Sequence, residues 1–340
     1  MKIFYAVQAT GNGHISRARE IYPYLQELGT VDFMLSGSNA TLQPEFPIKY
    51  RSNGLSLFYS NCGGLNYRQT FHKAKFLSVV KYSKSLPLET YDLIINDFDF
   101  VTAYACWKRN LRSVQFGHQA SFQSEHTPRP SNRSVLGEMI LKHYGKASDY
   151  VGLHFRPYDD YIFPPVIKQS IRNAQPADHG HITVYLPAHR QHCIEHILKE
   201  ISPVEVHWFL PGVTSVYKED NITFYPISQD YFNESLIHCH GIMTAGGFET
   251  PSEALYLNKK LLSIPIMDQY EQQCNAAALE LLGIRIMKDL NEQTKSDFFH
   301  WVTSPKIKIN MPANDIGSTL NYLMNKSAKD QRKSRLLPSV

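Results

Sequence analysis

The sequence predicts an α/β protein with two doubly wound parallel sheets, one in each half of the chain, facing each other across a cleft. Its 340 residues are enough for two domains. Short apolar runs that are typical of buried strands alternate with helix-like segments in both halves. Because this alternation is typical of parallel sheets covered by helices, each half is expected to be Rossmann-like, with the carboxyl ends of its strands lining the cleft.

The composition is that of an ordinary globular protein and argues against several other classes. Hydrophobic residues make up 43% and charged residues 19%, and a net charge of +4 is too small to indicate nucleic-acid binding. No apolar run reaches the roughly 18 residues that a membrane span needs. The apolar opening is interpreted as a strand, too short for a signal peptide. The cysteines lack paired spacing and are interpreted as reduced thiols, so the protein is expected to be cytoplasmic.

The first domain is predicted at 1–165. It opens with a strand at 2–7, a loop at 8–14 and a helix over 15–28, in which apolar residues recur every three or four positions before Gly29 ends it. The remaining strands are predicted at 31–35, 47–50, 91–96, 113–116 and 150–155, with helices at 71–85 and ending near 109. The segment 51–70, rich in Gly, Asn and Tyr, is interpreted as a surface loop, and its length suggests a function.

The second domain repeats the same rhythm at 181–312, after Pro164-Pro165 and a polar linker at 166–180. Its strands are predicted at 182–186, 204–210, 222–225, 241–245, 261–266 and 284–287, with helices at 190–200, 229–239, 250–258, 269–282 and 291–302. A last helix at 313–326 could pack back on the first domain, and the basic tail 327–340 is expected to be flexible.

A Gly-Gly turn between a strand and a helix is the most informative local feature. In Thr244-Ala-Gly-Gly-Phe-Glu-Thr-Pro-Ser-Glu253, Gly246 and Gly247 precede a helix predicted to take Thr250 as its N-cap. Glycines let a ligand approach the backbone, and the helix N-terminus favours an anion, so the turn is expected to hold the diphosphate of a nucleotide-sugar. The alternative is a well-capped βα turn in which Glu253 only completes a capping box.

This turn, continued through Ile264-Pro-Ile-Met-Asp-Gln269 to Asn275, resembles GT-B glycosyltransferases. The nearest branch contains the peptidoglycan UDP-N-acetylglucosamine transferase, the diacylglycerol galactosyltransferases and the UDP-glycosyltransferases. Gly11-Asn-Gly-His14 is similar to the Gly-rich loop that ends in a histidine after the first strand of that branch. The resemblance implies GT-B architecture and inverting, metal-independent transfer of a hexose or N-acetylhexosamine from a UDP-sugar to an acceptor hydroxyl, with no further cofactor.

The resemblance also implies roles for residues of the second domain. Gly246 and Gly247 would face the diphosphate, and Glu253 would accept hydrogen bonds from the ribose hydroxyls. Asp268 and Gln269 would bind hydroxyls of the donor sugar. The full set of expected donor-binding residues is Gly11, Gly13, Arg190, Phe224, Ile227, Gly246, Gly247, Thr250, Glu253, Asp268 and Gln269.

Two of these assignments rest on less regular matches. The segment Phe224–Ile227 is similar to one that contacts uracil in these enzymes, partly through its backbone. Many relatives have a Gly-Gly-Ser-type turn after the first strand of the second domain, but this chain has Leu186-Pro-Ala-His-Arg190 there. Arg190 or His189 could supply positive charge to the diphosphate in place of glycine amides.

His14 is the expected general base, since an imidazole with an ordinary pKa near 6.5 can take a proton from a hydroxyl at neutral pH. The alternative is a histidine that caps the helix beginning at Ile15. Asp97, which ends a predicted strand in Asp97-Phe-Asp99, is interpreted as structural or acceptor-binding rather than metal-binding. His118 follows another strand and is expected to touch the acceptor or orient His14, or else to be an ordinary loop histidine.

Two other functions stay open on the sequence alone: a non-hydrolysing UDP-N-acetylglucosamine 2-epimerase, which shares the fold, and a non-catalytic nucleotide-sugar-binding protein. The acceptor is not identified by any motif. The helix at 71–85 carries lysines among aromatic residues and could bring the protein to the inner membrane face and a lipid-linked acceptor. A half-buried helix with a solvated lysine face is the favoured interpretation.

Overall fold

Two seven-stranded sheets organise the chain in a computed structural model, which describes residues 1–37, 40, 42–54, 76–187 and 191–336. The first sheet has the order β3-β2-β1-β4-β5-β6-β7 and is parallel throughout. Its strands are β1 Lys2–Gln8, β2 Thr30–Ser36, β3 Ile48–Ser52, β4 Leu93–Asp97, β5 Val114–Gly117, β6 Asp149–Leu153 and β7 Ile162–Phe163.

The second sheet has the order β10-β11-β9-β8-β12-β13-β14, and only β10 runs antiparallel to its neighbour. Its strands are β8 Ile182–Tyr185, β9 Val206–Leu210, β10 Tyr217–Glu219, β11 Ile222–Pro226, β12 Gly241–Thr244, β13 Lys260–Ser263 and β14 Arg285–Ile286. Apolar side chains of the inner strands are buried on both faces, which explains why their sequences lack an alternating polar pattern.

Helices cover both sheets. Within the described part of the chain they are α1 Asn12–Leu28, α2 Phe76–Ser85, α3 Phe100–Arg109, α4 Val135–His143, α5 Gln169–Arg172, α6 Gln191–Lys199, α7 Gln229–His238, α8 Glu249–Tyr256, α9 Tyr270–Glu280, α10 Lys295–Thr303 and α11 Ile316–Leu336. This arrangement of two parallel-sheet α/β domains is the GT-B architecture that the sequence predicts.

The strand order places both predicted loops at switch points. In the first sheet the order reverses between β1 and β4, and in the second between β8 and β12. The loop that precedes α1 follows β1, and the Gly-Gly turn follows β12. Ligands of open α/β sheets bind in the crevice at such switch points, so the topology brings the two loops to the cleft.

Several elements differ from the prediction. The helices at 135–143 and 118–123 and the short strands β7 and β10 were not expected, because segments of two to nine residues carry little periodicity. The described part of the predicted 71–85 helix is α2, where Val79 is buried and Lys81 and Lys84 are exposed. The loop predicted at 51–70 lies outside the described residues beyond Gly54.

The last helix, α11, lies against β6 and α1 of the first domain, with the rings of Phe163 and Tyr322 5.1 Å apart. Asn314 fixes the approach, because its side chain donates to the Pro164 carbonyl at 2.9 Å. The helix continues to Leu336 instead of ending near 326, since no Pro or Gly stands between that position and Pro338. Across the described residues, no helix combines the length and apolarity that crossing a membrane requires.

Candidate active site

A histidine and a buried aspartate form a pair at the switch point of the first sheet. His14 Nδ1 lies 2.8 Å from Asp97 Oδ1, and the aspartate side chain is fully buried while the histidine keeps 13% of its surface exposed. Because a carboxylate can only accept, Nδ1 carries the proton in this pair. In the neutral ring the lone pair is then on the other nitrogen, Nε2, which makes no hydrogen bond with a described residue.

His14 lies in the first turn of α1 rather than in a loop before it. The helix begins at Asn12, three residues earlier than predicted, with Gly11 as an extended N-cap that makes no side-chain cap hydrogen bond. The loop prediction relied on glycines as helix breakers, but glycine is tolerated at the cap and in the first turn. The interpretation of His14 as the cap of a helix at Ile15 is therefore wrong.

Arg17, one turn further along α1, contacts both residues of the pair. Its Nη2 lies 2.7 and 2.8 Å from the two Asp97 oxygens and 2.9 Å from His14 Nδ1. Its Nη1 donates to Glu249 of the second domain. The side chain is only 2% exposed, and its two carboxylate partners keep its pKa raised despite burial.

The surroundings of His14 favour its protonated form. Burial alone lowers the pKa of the imidazole, but the charge and hydrogen bond of Asp97 raise it, and the net pKa lies above the usual histidine value. Arg17 opposes this rise, and Glu249 adds to it. The pKa of Asp97 moves down in spite of burial because Arg17 and His14 stabilise its charge, so the aspartate stays ionised.

The place of Asp97 corrects the acceptor-binding interpretation. Its side chain is fully buried beneath His14, and both oxygens are held by Arg17. It therefore orients the histidine instead of touching a second substrate. Its neighbour Asp99 caps α3 by accepting from the Thr102 amide at 2.6 Å, which accounts for the second acidic residue structurally.

The two glycines of the second domain have different surroundings. A Cβ on Gly246 would lie 2.8 Å from the Gln272 carbonyl oxygen, and its amide donates to Gln272 Oε1 at 3.1 Å. Asn275 holds the Gly246 carbonyl at 3.0 Å. Gly246 is therefore needed for packing against α9, and its amide is occupied. Gly247 has no atom within 4 Å of the place of a Cβ, so the space beside its backbone is open and packing does not require a glycine there.

The helix after the glycines starts earlier than predicted. α8 begins at Glu249 with Phe248 before it, and no side chain caps it. Thr250 is consequently in the first turn and not the N-cap, so the Thr250–Glu253 capping box is wrong. A helix N-terminus without a side-chain cap leaves amide groups for an anion.

Glu253 turns towards a lysine of the segment between the domains. Lys168 Nζ lies 3.1 Å from Glu253 Oε2 and donates to Asn233 Oδ1 at 2.8 Å. Burial raises the pKa of the Glu253 carboxyl, and Lys168 opposes this rise. The lysine therefore helps to keep a carboxylate in a nearly dry place.

A pocket of about 200 Å³, open to solvent, lies between α1 and the start of α8. Its walls include Gly13, Thr250, Glu253, Lys168 and Ile227. Residues of both domains line it, and ligand sites are often found at such domain interfaces.

Two predicted base-contacting residues differ in exposure. Ile227 is 41% exposed and lines the pocket, whereas Phe224 is fully buried between Trp208 and Tyr217. Their positions explain the difference, because Phe224 lies inside β11 and Ile227 lies just beyond its carboxyl end. The side chain of Phe224 is thus part of the core, and only its backbone could meet a ligand.

The remaining predicted donor residues lie at the start of α9 or outside the described chain. Asp268 is exposed and adopts a left-handed φ of 64°. Gln269 is half-buried, and its Oε1 is buried without a hydrogen bond to any described residue. Arg190 and His189 fall outside the described residues. The described residues contain no cluster of three or more His, Cys, Asp or Glu that could hold a metal ion.

His118 is buried between the domains, which corrects its expected role at the acceptor or beside His14. Nε2 lies 2.7 Å from Asn275 Oδ1, Nδ1 lies 2.9 Å from the Leu153 carbonyl, and the ring stacks on Phe248 at 4.0 Å. Burial lowers the pKa of His118. This histidine holds the first domain against the Gly-Gly turn.

Sequence reasoning missed the residues that join the parts of this site: Arg17, Lys168, Glu249, Gln272 and Asn275. Arg17 could have been noticed, because it follows His14 by one helical turn and shares its face. The other contacts join residues distant in sequence, for which one chain offers no local signal.

The fold and the two facing switch-point loops define a GT-B transferase. The chain belongs to the family described as Glycosyl transferase family 1, whose model matches residues 1–303. It is therefore a glycosyltransferase, as the sequence resemblance indicates.

Solved structures agree on the fold. Arabidopsis thaliana UGT89C1 complexed with UDP has 13% identity and a TM-score of 0.58 over 96% of this chain and 94% of that chain. Acinetobacter baumannii MurG has 14% identity and a TM-score of 0.55 over 96% and 99%. A putative UDP-N-acetylglucosamine 2-epimerase from Listeria monocytogenes has 9% identity and a TM-score of 0.50 over 95% and 94%. No curated protein sequence matches the chain significantly.

Proposed function

We propose that the protein is an inverting glycosyltransferase that moves a hexose or N-acetylhexosamine from a UDP-sugar to an acceptor hydroxyl without a metal ion. The observation that carries this proposal is the His14–Asp97 pair. Its proton is on Nδ1, which leaves Nε2 as a base in the wall of the cleft opposite the N-terminus of α8. A base on one wall and a leaving-group site on the other suit a single in-line displacement, which inverts the anomeric centre.

In this mechanism His14 Nε2 takes the proton of the acceptor hydroxyl as the oxygen attacks the anomeric carbon. Asp97 fixes the ring and stabilises the imidazolium that forms, since it is ionised and hydrogen-bonded to Nδ1. The bond to the diphosphate oxygen breaks in the same step, and UDP leaves with the electron pair. The acceptor would enter from the first domain.

The donor side is supported by the pocket at α8. We infer that the open backbone at Gly247, the Thr250 hydroxyl and the amides of the first turn hold the diphosphate. Glu253 would accept the ribose hydroxyls, and Ile227 would contact the base. The UDP-bound plant structure supports a uridine nucleotide. Another structure of similar fold, the glycosyltransferase VinC, is in complex with dTDP, so thymidine nucleotides should be tested beside UDP.

The test compares wild-type protein with His14→Ala. UDP release from UDP-N-acetylglucosamine and UDP-glucose is measured with a panel of hydroxyl acceptors and with water alone. The variant should lose transfer by a factor of about 100 or more while its UDP affinity, measured by calorimetry, stays the same. The wild-type rate should fall as pH drops, with the acid limb above the ordinary histidine pKa of about 6.5, because only the neutral ring is a base.

Near-normal transfer by His14→Ala would show that another group is the base. Conversion of UDP-N-acetylglucosamine to an epimer without an acceptor would instead support the epimerase. Added EDTA should leave the transfer rate unchanged. If EDTA abolishes transfer and added Mg²⁺ or Mn²⁺ restores it, the metal-independent mechanism is wrong.

We also infer a cytoplasmic enzyme, with a lipid-linked acceptor as the proposal to test first. Helix α2 is half-buried, as the favoured interpretation expects, and its exposed lysines form the basic face with which such a contact would be made. The protein is expected to co-sediment with anionic vesicles but not with neutral ones. If it sediments with neither kind, a soluble acceptor is favoured.

A further inference from the structure

An ion pair crosses the cleft next to the candidate base. Arg17 of α1 donates through Nη1 to Glu249, the first residue of α8 in the opposite domain. Through Nη2 the same guanidinium holds Asp97 and touches His14 Nδ1. A single buried cation thus joins the donor-binding helix of one domain to the histidine–aspartate pair of the other.

Gly13 makes room for this contact. A Cβ at residue 13 would lie 2.6 Å from Glu249 Oε2, so only glycine lets the carboxylate approach the first turn of α1 this closely. The amides and dipole of a helix N-terminus favour an anion there. The Glu249 side chain, 26% exposed, is therefore held by Arg17 and lies against the first turn of α1, both in the other domain.

We propose that Arg17 and Glu249 are positioning residues that couple closure of the cleft to the proton affinity of His14. This inference rests on the proposed function, in which His14 is the base. With the domains closed, Glu249 balances the charge of Arg17 beside the imidazole. When the domains separate, that balance is lost and Arg17 disfavours the imidazolium more strongly, so His14 becomes a weaker base. Full base strength would then be reached only with α8 in place.

Four ionisable side chains from four elements face this centre: Asp97 of β4, Arg17 of α1, Glu249 of α8 and Tyr5 of β1. Burial raises the pKa of Tyr5 well above its ordinary value, so its hydroxyl stays neutral. Asp97 and Glu249 raise the pKa of His14, and Arg17 lowers it. Loss of Glu249 alone should therefore lower the pKa of His14.

The test is an NMR titration of the His14 ring in the ligand-free, full-length chain, with its signal assigned by its absence from His14→Ala. Two variants remove the Glu249 contact in different ways. Glu249→Gln removes the charge, and Gly13→Ala displaces the flexible carboxylate while adding a favourable helix residue. Both should lower the pKa of His14 by about half a unit or more.

Glu271→Gln is the matched control. Glu271 is also a carboxylate that crosses the domains, and it accepts from Gln119 at 2.9 Å. This control should leave the His14 titration at its wild-type midpoint. An unchanged midpoint in Glu249→Gln, or an equal shift in the control, would overturn the coupling.

The titration also separates this inference from the proposed function. If His14→Ala abolishes transfer but Glu249→Gln leaves the titration unmoved, only the coupling is wrong. If His14→Ala transfers normally, the assignment of the base is wrong whatever Glu249 does.

Discussion

At the scale of single residues, the partners of an ionisable group decide what it can do. His14 would be an ordinary helix histidine without Asp97, which fixes its tautomer, and without Arg17, which keeps Asp97 ionised. Glu253 shows the same dependence, because Lys168 supports its charge in a buried place. The residue types were recognisable in the sequence, but their charges and tautomers follow from contacts between distant positions.

Glu253 provides a prediction at this scale. Glu253→Ala should weaken UDP binding by about 10- to 150-fold, since a hydrogen bond to a charged group contributes roughly 1.5–3 kcal/mol. If the carboxylate receives the ribose hydroxyls, the variant should bind 2′,3′-dideoxy-UDP as well as wild-type protein does. Calorimetry with both nucleotides measures this, and Lys49→Ala, at an exposed lysine outside the pocket, is the control. An equal loss for both nucleotides would assign Glu253 a purely structural role through Lys168.

At the scale of elements, the two glycines of the Gly-Gly turn have different roles, one in packing and one in the proposed ligand binding. Gly246 lets β12 and α9 approach each other, and the Gln272 side chain gathers the amides of Gly246 and Ile266 at 3.1 and 2.9 Å. Gly247 is the position with open backbone. The turn was interpreted from sequence as one anion site with two equivalent glycines, because packing against α9 leaves no mark on the turn itself.

Paired substitutions test this division. Gly246→Ala should lower the free energy of unfolding by about 1–3 kcal/mol, because its Cβ would meet backbone and Pro265 rather than a flexible side-chain end. Gly247→Ala should unfold at nearly the wild-type urea concentration but bind UDP more weakly. Urea unfolding and UDP calorimetry on both variants measure this. Equal stability of the two variants would contradict the packing role of Gly246.

Prediction was most successful for long or strongly apolar elements. The strands later found as β1, β2, β4 and β12 were placed to within two residues, because buried parallel strands are continuous apolar runs. The starts of α1 and α8 were predicted too late. Their N-cap residues are Gly11 and Phe248, so neither helix has the Ser, Thr or Asp that usually indicates a helix start. Those two helix starts are the walls of the cleft, so the errors fell on the functional site.

At the scale of the molecule, the two domains meet through polar and aromatic side chains in addition to the Arg17 contact. Phe248, just before α8, stacks on His118 and lies 5.2 Å from the ring of Phe155. Tyr270 of α9 donates to Glu138 of α4 at 2.6 Å. The sequence predicted two facing domains, but none of these pairings, because each joins residues more than 90 positions apart. The interface therefore had to be learned from the structure.

His154, at this interface, makes the stability of the whole chain depend on pH. It is fully buried, and its Nδ1 accepts from the Phe155 amide at 2.9 Å, so protonation of Nδ1 would break that bond. Burial lowers the pKa of His154 well below 6.5, whereas the unfolded chain takes up the proton near that value. Stability should thus fall as pH drops below about 6.5, by about 1 kcal/mol from this residue between pH 7 and 5.5. His154→Asn keeps an acceptor but cannot titrate, so its urea-unfolding free energy should change less between the two pH values. Because a packing loss would affect both pH values equally, an unchanged difference would show that His154 does not cause the acid sensitivity.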